Sequence, residues 1–296
     1  MRVRGAVPRH KTVFRLLLLI AACCSGSSSQ SSSLRWNTLP PTPAPVSGLK
    51  RTSVHIRGIS LFYSDTLGSF PGRPPVILLH GGLANSDYWG NQIRALMPGH
   101  RVLAIDSRGH GRSTRDSRPY GYDLMADDVI ALMDKLHIAQ ADFVGWSDGA
   151  ILSLDLAIRY PARVRRVFCF AANTRTAGLI PDGDKSANFS RFTTRAGEEY
   201  RRLSSTPGEY SAFVEQISHM WDTQPDWRDA QLTSIAARVL VADGDHDEVI
   251  RRDHTEYIAR TIPGAGLLIL PNTSHFAFLQ DPVLFNAAML DFLDRP

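Results

Sequence analysis

The sequence predicts an α/β fold, a doubly wound and mostly parallel sheet with an inserted helical cap, and three observations predict it. Short uninterrupted apolar runs, such as Val76–Leu79 and Val102–Ile105, alternate with stretches whose apolar residues recur at helical spacing. Buried strands separated by amphipathic helices are the pattern of crossover connections, which set strands parallel and lay helices over the sheet. A third stretch, residues 175–235, lacks strand-like runs for roughly 60 residues, longer than ordinary loops, and is read as packed helices. It carries Phe189, Phe192, Tyr200, Tyr210, Phe213, Trp221 and Trp227, and such aromatics need something to pack against.

Taken in order, residues 54–63 alternate like an antiparallel pair, and the two buried strands follow. Asp123 is placed to cap a helix whose Met125, Val129, Leu132, Met133 and Leu136 share a face, and residues 143–145 return to strand. Ala150, Leu154, Ala157 and Ile158 mark a helix that must stop before Pro161, ahead of a strand over 164–171. Beyond the cap come strands over 239–242 and 267–270, then a closing helix with Pro282 in its first turn. Its Phe285, Met289, Phe292 and Leu293 fall on one face.

The first 23 residues read as an export segment: Arg2, Arg4, Arg9, Lys11 and Arg15 precede the apolar run 16–22, too short to span a bilayer. Ile20-Ala21-Ala22-Cys23 resembles the bacterial lipobox, which implies lipidation of Cys23 and a membrane tether. An ordinary cleaved signal and an organelle transit segment are the alternatives. Residues 24–50 read as a tether, Ser-rich over 25–33 and then extended through Pro40, Pro41, Pro43 and Pro45. The folded domain is expected over 51–296.

Composition narrows the function. With 43% apolar and 21% charged residues the chain suits a packed core rather than disorder. The net charge of +4 suggests a polyanion partner until it is located: residues 1–64 hold nine Lys/Arg and no Asp/Glu. The remainder has 24 against 29, so no nucleic-acid partner is expected. Only Cys23, Cys24 and Cys169 occur, which argues against a disulfide framework, and Cys169 lies in an apolar strand as inert core. No His-x-x-x-His or Cys-x-x-Cys spacing supports a metal, and no cofactor is implied.

Gly145-Trp146-Ser147-Asp148-Gly149 stands where a strand should end and a helix begin. A serine nucleophile needs a tight turn there, and flanking glycines remove Cβ atoms that would strike the neighbouring strand and helix. Serine also needs a base and a group to orient it. Downstream, Asp243, Asp245 and Asp247 follow one strand, and His275 follows the next. The chain order Ser, Asp, His, with His80-Gly81-Gly82-Leu83 after the strand 76–79, resembles the α/β-hydrolase superfamily over roughly residues 52–294.

That resemblance implies a sheet of the α/β-hydrolase type, with Ser147 as nucleophile, Asp247 rather than Asp245 or Asp243 as acid, and His275 as base. It further implies an oxyanion hole from the N–H groups of Gly82 and Asp148, or of Leu83 if the loop is shifted by one. Asp106 through Ser113 is familiar from the family as scaffold, and His80 as a structural hydrogen-bonder. Ser274 and Gln280 depart from the family's usual Gly and Glu. His246 and His254, beside the acid loop, are expected at the surface. The implied activity is hydrolysis of a small-molecule carboxylic ester, lactone or amide, the alternative being a slow or non-catalytic binding protein on the same fold. The segment around Asp148 is similar to valacyclovir hydrolase-like members, which accept amino-acid esters. Its carboxylate can then face a substrate ammonium, or only its backbone matters.

Overall fold

A computed structural model describes residues 34–295; the export segment, Cys23 and the Ser-rich run 25–33 lie outside the described residues. In chain order the elements are β1 (Lys50–Ile56), β2 (Ile59–Asp65), β3 (Val76–Leu79), α1 (Gly90–Leu96), β4 (Val102–Ile105) and α2 (Tyr122–Lys135). Next come β5 (Ala141–Trp146), α3 (Asp148–Arg159), β6 (Val164–Phe170), α4 (Ala187–Leu203), α5 (Tyr210–Thr223) and α6 (Asp229–Thr233). The chain closes with β7 (Arg238–Gly244), α7 (Arg252–Thr261), β8 (Gly266–Leu270), α8 (Ala277–Gln280) and α9 (Pro282–Asp294).

These strands form one sheet in the order β1-β2-β4-β3-β5-β6-β7-β8. β1, β2 and β4 pair antiparallel, and β4 through β8 run parallel. The central strands β3, β4 and β5 are buried at every position, which is why they read as continuous apolar runs rather than alternating ones. Phe168 and Phe170, two apart on β6, meet Phe285 of α9 at ring separations of 5.3 and 5.2 Å. That contact uses the apolar face expected of the closing helix.

Three local expectations change. α2 starts one residue before Asp123, with Gly121 at its N-cap, so Asp123 sits in the first turn where its charge favours the helix dipole instead of capping it. α1 and α7 had no sequence signal because each is short, and α7 buries only His254, Thr255 and Ile258. The third change is at the tether: from Leu34 the Pro-rich stretch lies on the domain, with Arg94 donating to Ala44 O at 2.7 Å and Arg195 to Pro40 O at 2.7 Å. Proline lacks an N–H, so such a stretch offers carbonyls, and the domain supplies the donors.

The insertion is helical, as expected. Its ends meet where Trp227 N–H donates to Thr174 O at 3.0 Å, and it comprises α4, α5 and α6. Its own Phe189, Phe192, Tyr200 and Phe213 are buried, and Phe192 lies 5.7 Å from Trp146, one residue before Ser147.

Candidate active site

From β3 the chain steps outward to β4 and then returns to β5 on the other side of β3. Loops leaving β3 and β5 therefore diverge and open a crevice, the topological switch point at which doubly wound sheets place ligands. Register brings the other loops to the same edge: Leu79 pairs with Gly145, Trp146 with Phe170, Phe170 with Ala242 and Gly244 with Leu270.

Ser147 stands at the end of β5 with φ 55° and ψ −121°, a left-handed conformation that strains a side-chain-bearing residue by about 1–3 kcal/mol. Its neighbours over-determine it. Ser147 N–H donates to Phe170 O at 2.9 Å, and Ser147 O accepts from Ala150 and Ile151 at 2.8 and 3.0 Å. A Cβ on Gly149 would strike Leu79 O and lie 2.7 Å from His80 O, and one on Gly145 would lie 2.5 Å from Ala150 Cα. Both glycines of the pentapeptide are thus required by named atoms.

On the far side of the crevice, His275 Nδ1–H donates to Asp247 Oδ2 at 2.8 Å, with both side chains almost wholly buried. Asp247 Oδ1 accepts the N–H groups of Val249 and Ile250 at 2.7 and 2.8 Å. Burial alone would lower the His275 pKa, but the Asp247 charge, its hydrogen bond, Glu248 and Asp148 outweigh it and hold the pKa above the ordinary histidine value. Burial would raise Asp247, yet His275 and the donors around it keep its pKa below the usual range. With Nδ1 committed to Asp247, Nε2 is the nitrogen left to accept a proton. Among the described residues the Ser147 hydroxyl makes no hydrogen bond to that ring; its neighbour Trp146 lies 5.9 Å from the imidazole.

Gly82 packs against the elbow: a Cβ there would overlap Trp221 and lie 2.5 Å from Asp148 Oδ2. Leu83, the alternative donor, has φ 63°. The Asp148 carboxylate is committed within the protein, accepting from Trp221 Nε1 at 2.9 Å on both oxygens and from Tyr122 OH at 2.9 Å. Burial, opposed by those donors, pushes its pKa up to about 6. Trp221 belongs to α5, so this carboxylate joins the cap to the turn that carries Ser147.

The scaffold readings acquire atoms. His80 Nε2 accepts Ser107 N–H at 3.0 Å, which puts its proton on Nδ1, 2.7 Å from Gly81 O. Asp106 accepts from Ser86 N at 2.7 Å and Arg112 N at 2.8 Å. His110 packs on Phe213 at 4.8 Å, and burial lowers its pKa to about 3. Cys169 is buried in β6, and burial pushes its thiol up.

His246 is exposed as expected, but His254 is not: it is buried, and its Nε2 accepts Thr174 N–H at 3.0 Å, fastening the neck of the cap. Its position in the first turn of a polar helix gave no hint of a partner 80 residues earlier.

The sequence offers Asp243 only as a rival acid and does not single out Glu248. Asp243 is buried, accepting from Gly244 N at 2.8 Å and Thr255 Oγ1 at 2.6 Å; burial and the neighbouring Asp247 push its pKa well above the carboxylate range. Glu248 accepts His275 N–H at 3.1 Å. Both lie in the acidic run 243–248, which starts within β7 and which spacing alone could not rank.

Comparison with known proteins agrees with this architecture. A family model described as alpha/beta hydrolase fold matches residues 74–197. The chain is 28% identical over 267 residues to human serine hydrolase BPHL, covering 85% of this chain and 89% of that protein. It is 29% identical over 248 residues to 3-oxoadipate enol-lactonase 2 of Acinetobacter baylyi, covering 75% and 90%. A solved hydrolase from Pseudomonas aeruginosa superposes with a TM-score of 0.66 at 26% identity, covering 85% of this chain and all of that one.

Proposed function

The chain belongs to the α/β-hydrolase superfamily, and on that footing we propose that it is a serine hydrolase cleaving a small-molecule carboxylic ester through an acyl-enzyme intermediate. The observation that carries this reading is the His275–Asp247 bond of 2.8 Å, set on the same sheet edge as a strained serine at the head of α3.

In the proposed mechanism a rotation of the Ser147 side chain brings Oγ to His275 Nε2, a contact that commonly tightens only when substrate binds. His275 takes the hydroxyl proton as Ser147 attacks the carbonyl carbon. The protonated ring then hands that proton to the departing alcohol as the tetrahedral intermediate collapses. Water repeats the cycle on the acyl-enzyme, and Asp247 keeps the ring in the needed tautomer while stabilising its cation. The N–H groups of Gly82 and Asp148 receive the oxyanion, a task for which each such donor is typically worth about 10²- to 10³-fold in kcat.

Fluorophosphonate labelling and turnover of short p-nitrophenyl esters test the proposal. We expect labelling and hydrolysis by the natural protein and neither by S147A; a natural protein inert in both assays would replace this reading with ligand binding. The Asp148 side chain, occupied by Trp221 and Tyr122, is proposed to hold the cap rather than a substrate ammonium. An α-amino ester and its N-acetylated analogue should therefore show equal kcat/KM, and a strong preference for the free amine would reverse the assignment.

A further inference from the structure

We propose that residues 34–46 form a positioning strap that holds cap helix α4 and the His275 loop over the nucleophile, with Gln280 as the joint between strap and loop. The inference rests on the serine-hydrolase reading for the identity of what is positioned.

α4 has two dedicated faces. Phe189, Phe192, Ala196 and Tyr200 are buried on one. Asn188, Arg191, Arg195 and Glu199, at spacings of three and four residues, form the other. Every member of that second stripe binds the strap. Asn188 Nδ2 donates to Trp36 O at 2.7 Å, and Arg191 to Asn37 O at 3.0 Å. Arg195 reaches Pro40 O at 2.7 Å and Leu39 O at 3.1 Å, and Glu199 Oε1 accepts from Thr42 Oγ1 at 2.6 Å. Glu199 Oε2 in turn accepts from Asn85 Nδ2 at 2.9 Å, in the loop that begins with His80-Gly81-Gly82. The helix is held between core and strap.

At its first end the strap reaches the residues around the triad. Trp36 stacks on His246 of the acid loop at 4.7 Å and 8° between planes. Arg35 pairs with Asp281, which accepts Leu284 N–H at the start of α9. Gln280 Nε2 donates to Thr38 O at 2.7 Å and Trp36 O at 3.2 Å, while Gln280 Oε1 accepts Ser274 N–H at 2.7 Å. Nε2 also lies 3.0 Å from Ser274 Oγ. One amide thus binds the residue before His275 with its oxygen and the strap with its nitrogen.

This gives the amide at 280 a reason. A carboxylate there, common in the resembling family, still accepts from Ser274 but has no proton for the carbonyls of Trp36 and Thr38. Gln280 and the strap therefore form a matched pair, and Ser274 supplies the hydroxyl that completes it. Proline at 40, 41, 43 and 45 keeps the strap extended and without N–H groups at those positions, so its recognisable feature is a row of carbonyls facing Asn, Gln and Arg donors.

The test compares the full chain with Q280E, W36A and the double variant by amide hydrogen exchange and ester kinetics. Q280E keeps the acceptor contact to Ser274 N–H, leaves the Ser274 hydroxyl able to donate where it now accepts, and removes donation to the strap. We expect faster exchange over residues 36–39 and 273–276 in each single variant, and a kcat about tenfold lower with KM within about twofold, the signature of a mispositioned catalytic group. The double variant should lose no more than the worse single one, because both act through one joint. Exchange that rises while kcat stays at the parent value would overturn the positioning role, and unchanged exchange in the strap would overturn the joint itself. Should Q280E not fold, W36A, at a half-buried surface site, decides between the same outcomes. If the parent chain neither labels nor turns over ester, the hydrolase reading fails, and exchange over 187–203 and 273–276 alone decides whether the strap holds both elements.

Discussion

Asp247 spends one oxygen on His275 and the other on two backbone N–H groups, so its orientation is set by the chain and not by the imidazole. Its charge raises the His275 pKa against the effect of burial. In the proposed mechanism His275 is the base and must be neutral to act, so activity should climb as pH rises through a value above the ordinary histidine pKa. D247N removes the charge that elevates that pKa: the acid limb of kcat/KM should move to lower pH, while kcat falls by about 10⁴-fold. An acid limb that stays in place would show that Asp247 does not set the ring's pKa. Asp243 calls for a different expectation. Burial and the neighbouring Asp247 raise the Asp243 pKa and so favour its protonated form, which can donate to Asp247 while accepting from Gly244 and Thr255. D243N should keep kcat/KM within about threefold, since an amide also donates, whereas D243L leaves Asp247 one donor short and should cost about tenfold or more. Equal losses in both variants would show that shape rather than hydrogen bonding matters there.

At the scale of elements, the turn between β5 and α3 depends on how closely α3 approaches β3. Gly149→Ala places a methyl against Leu79 O, and backbone on both sides leaves little room to yield. We expect a stability loss of about 2 kcal/mol or more by denaturant titration, with labelling of Ser147 abolished. A G149A protein of parental stability and reactivity would mean that the helix can slide. Gly244 plays the same part between the acid and histidine loops, because a Cβ there would sit 2.6 Å from Thr273 O and 2.7 Å from Ser274 O. The flanking glycines of the Ser147 turn announced themselves within a five-residue motif. Gly244 did not, since the carbonyls it must clear belong to a loop 29 residues later.

For the whole molecule, the basic charge is a property of the first 64 residues, and the domain that carries the chemistry is acidic on balance. Five of those cations lie in residues 1–15 ahead of the apolar run, and we propose that they serve export and that the chain is tethered through a lipidated Cys23. Mass spectrometry of the mature N-terminus should find a diacylated cysteine at 23; an unmodified terminus would refute the tether. The strap begins 11 residues after Cys23, so any such tether would lead directly into the segment that clasps α4.

Local pattern by itself determined the strand runs in their chain order, the helices α2, α3 and α9, the helical insertion, and the turn that carries Ser147. Each of these follows from periodicity, from glycine and proline placement, or from a short motif read against the element that should contain it. What local pattern alone could not rank was three aspartates in five residues, 243, 245 and 247; resemblance to the family favoured Asp247, but their separate roles take partners from other strands. Register across β7 and β8 brings the first to a buried site beside Thr255, the second to the N–H of Thr273 at 3.0 Å, and the third to His275. Tertiary structure likewise turned a Pro-rich stretch that composition reads as linker into a strap, and a buried His254 into the clasp of the cap. In both cases the deciding hydrogen-bond partners lie 50 to 246 residues away, and no local preference of the chain can express them.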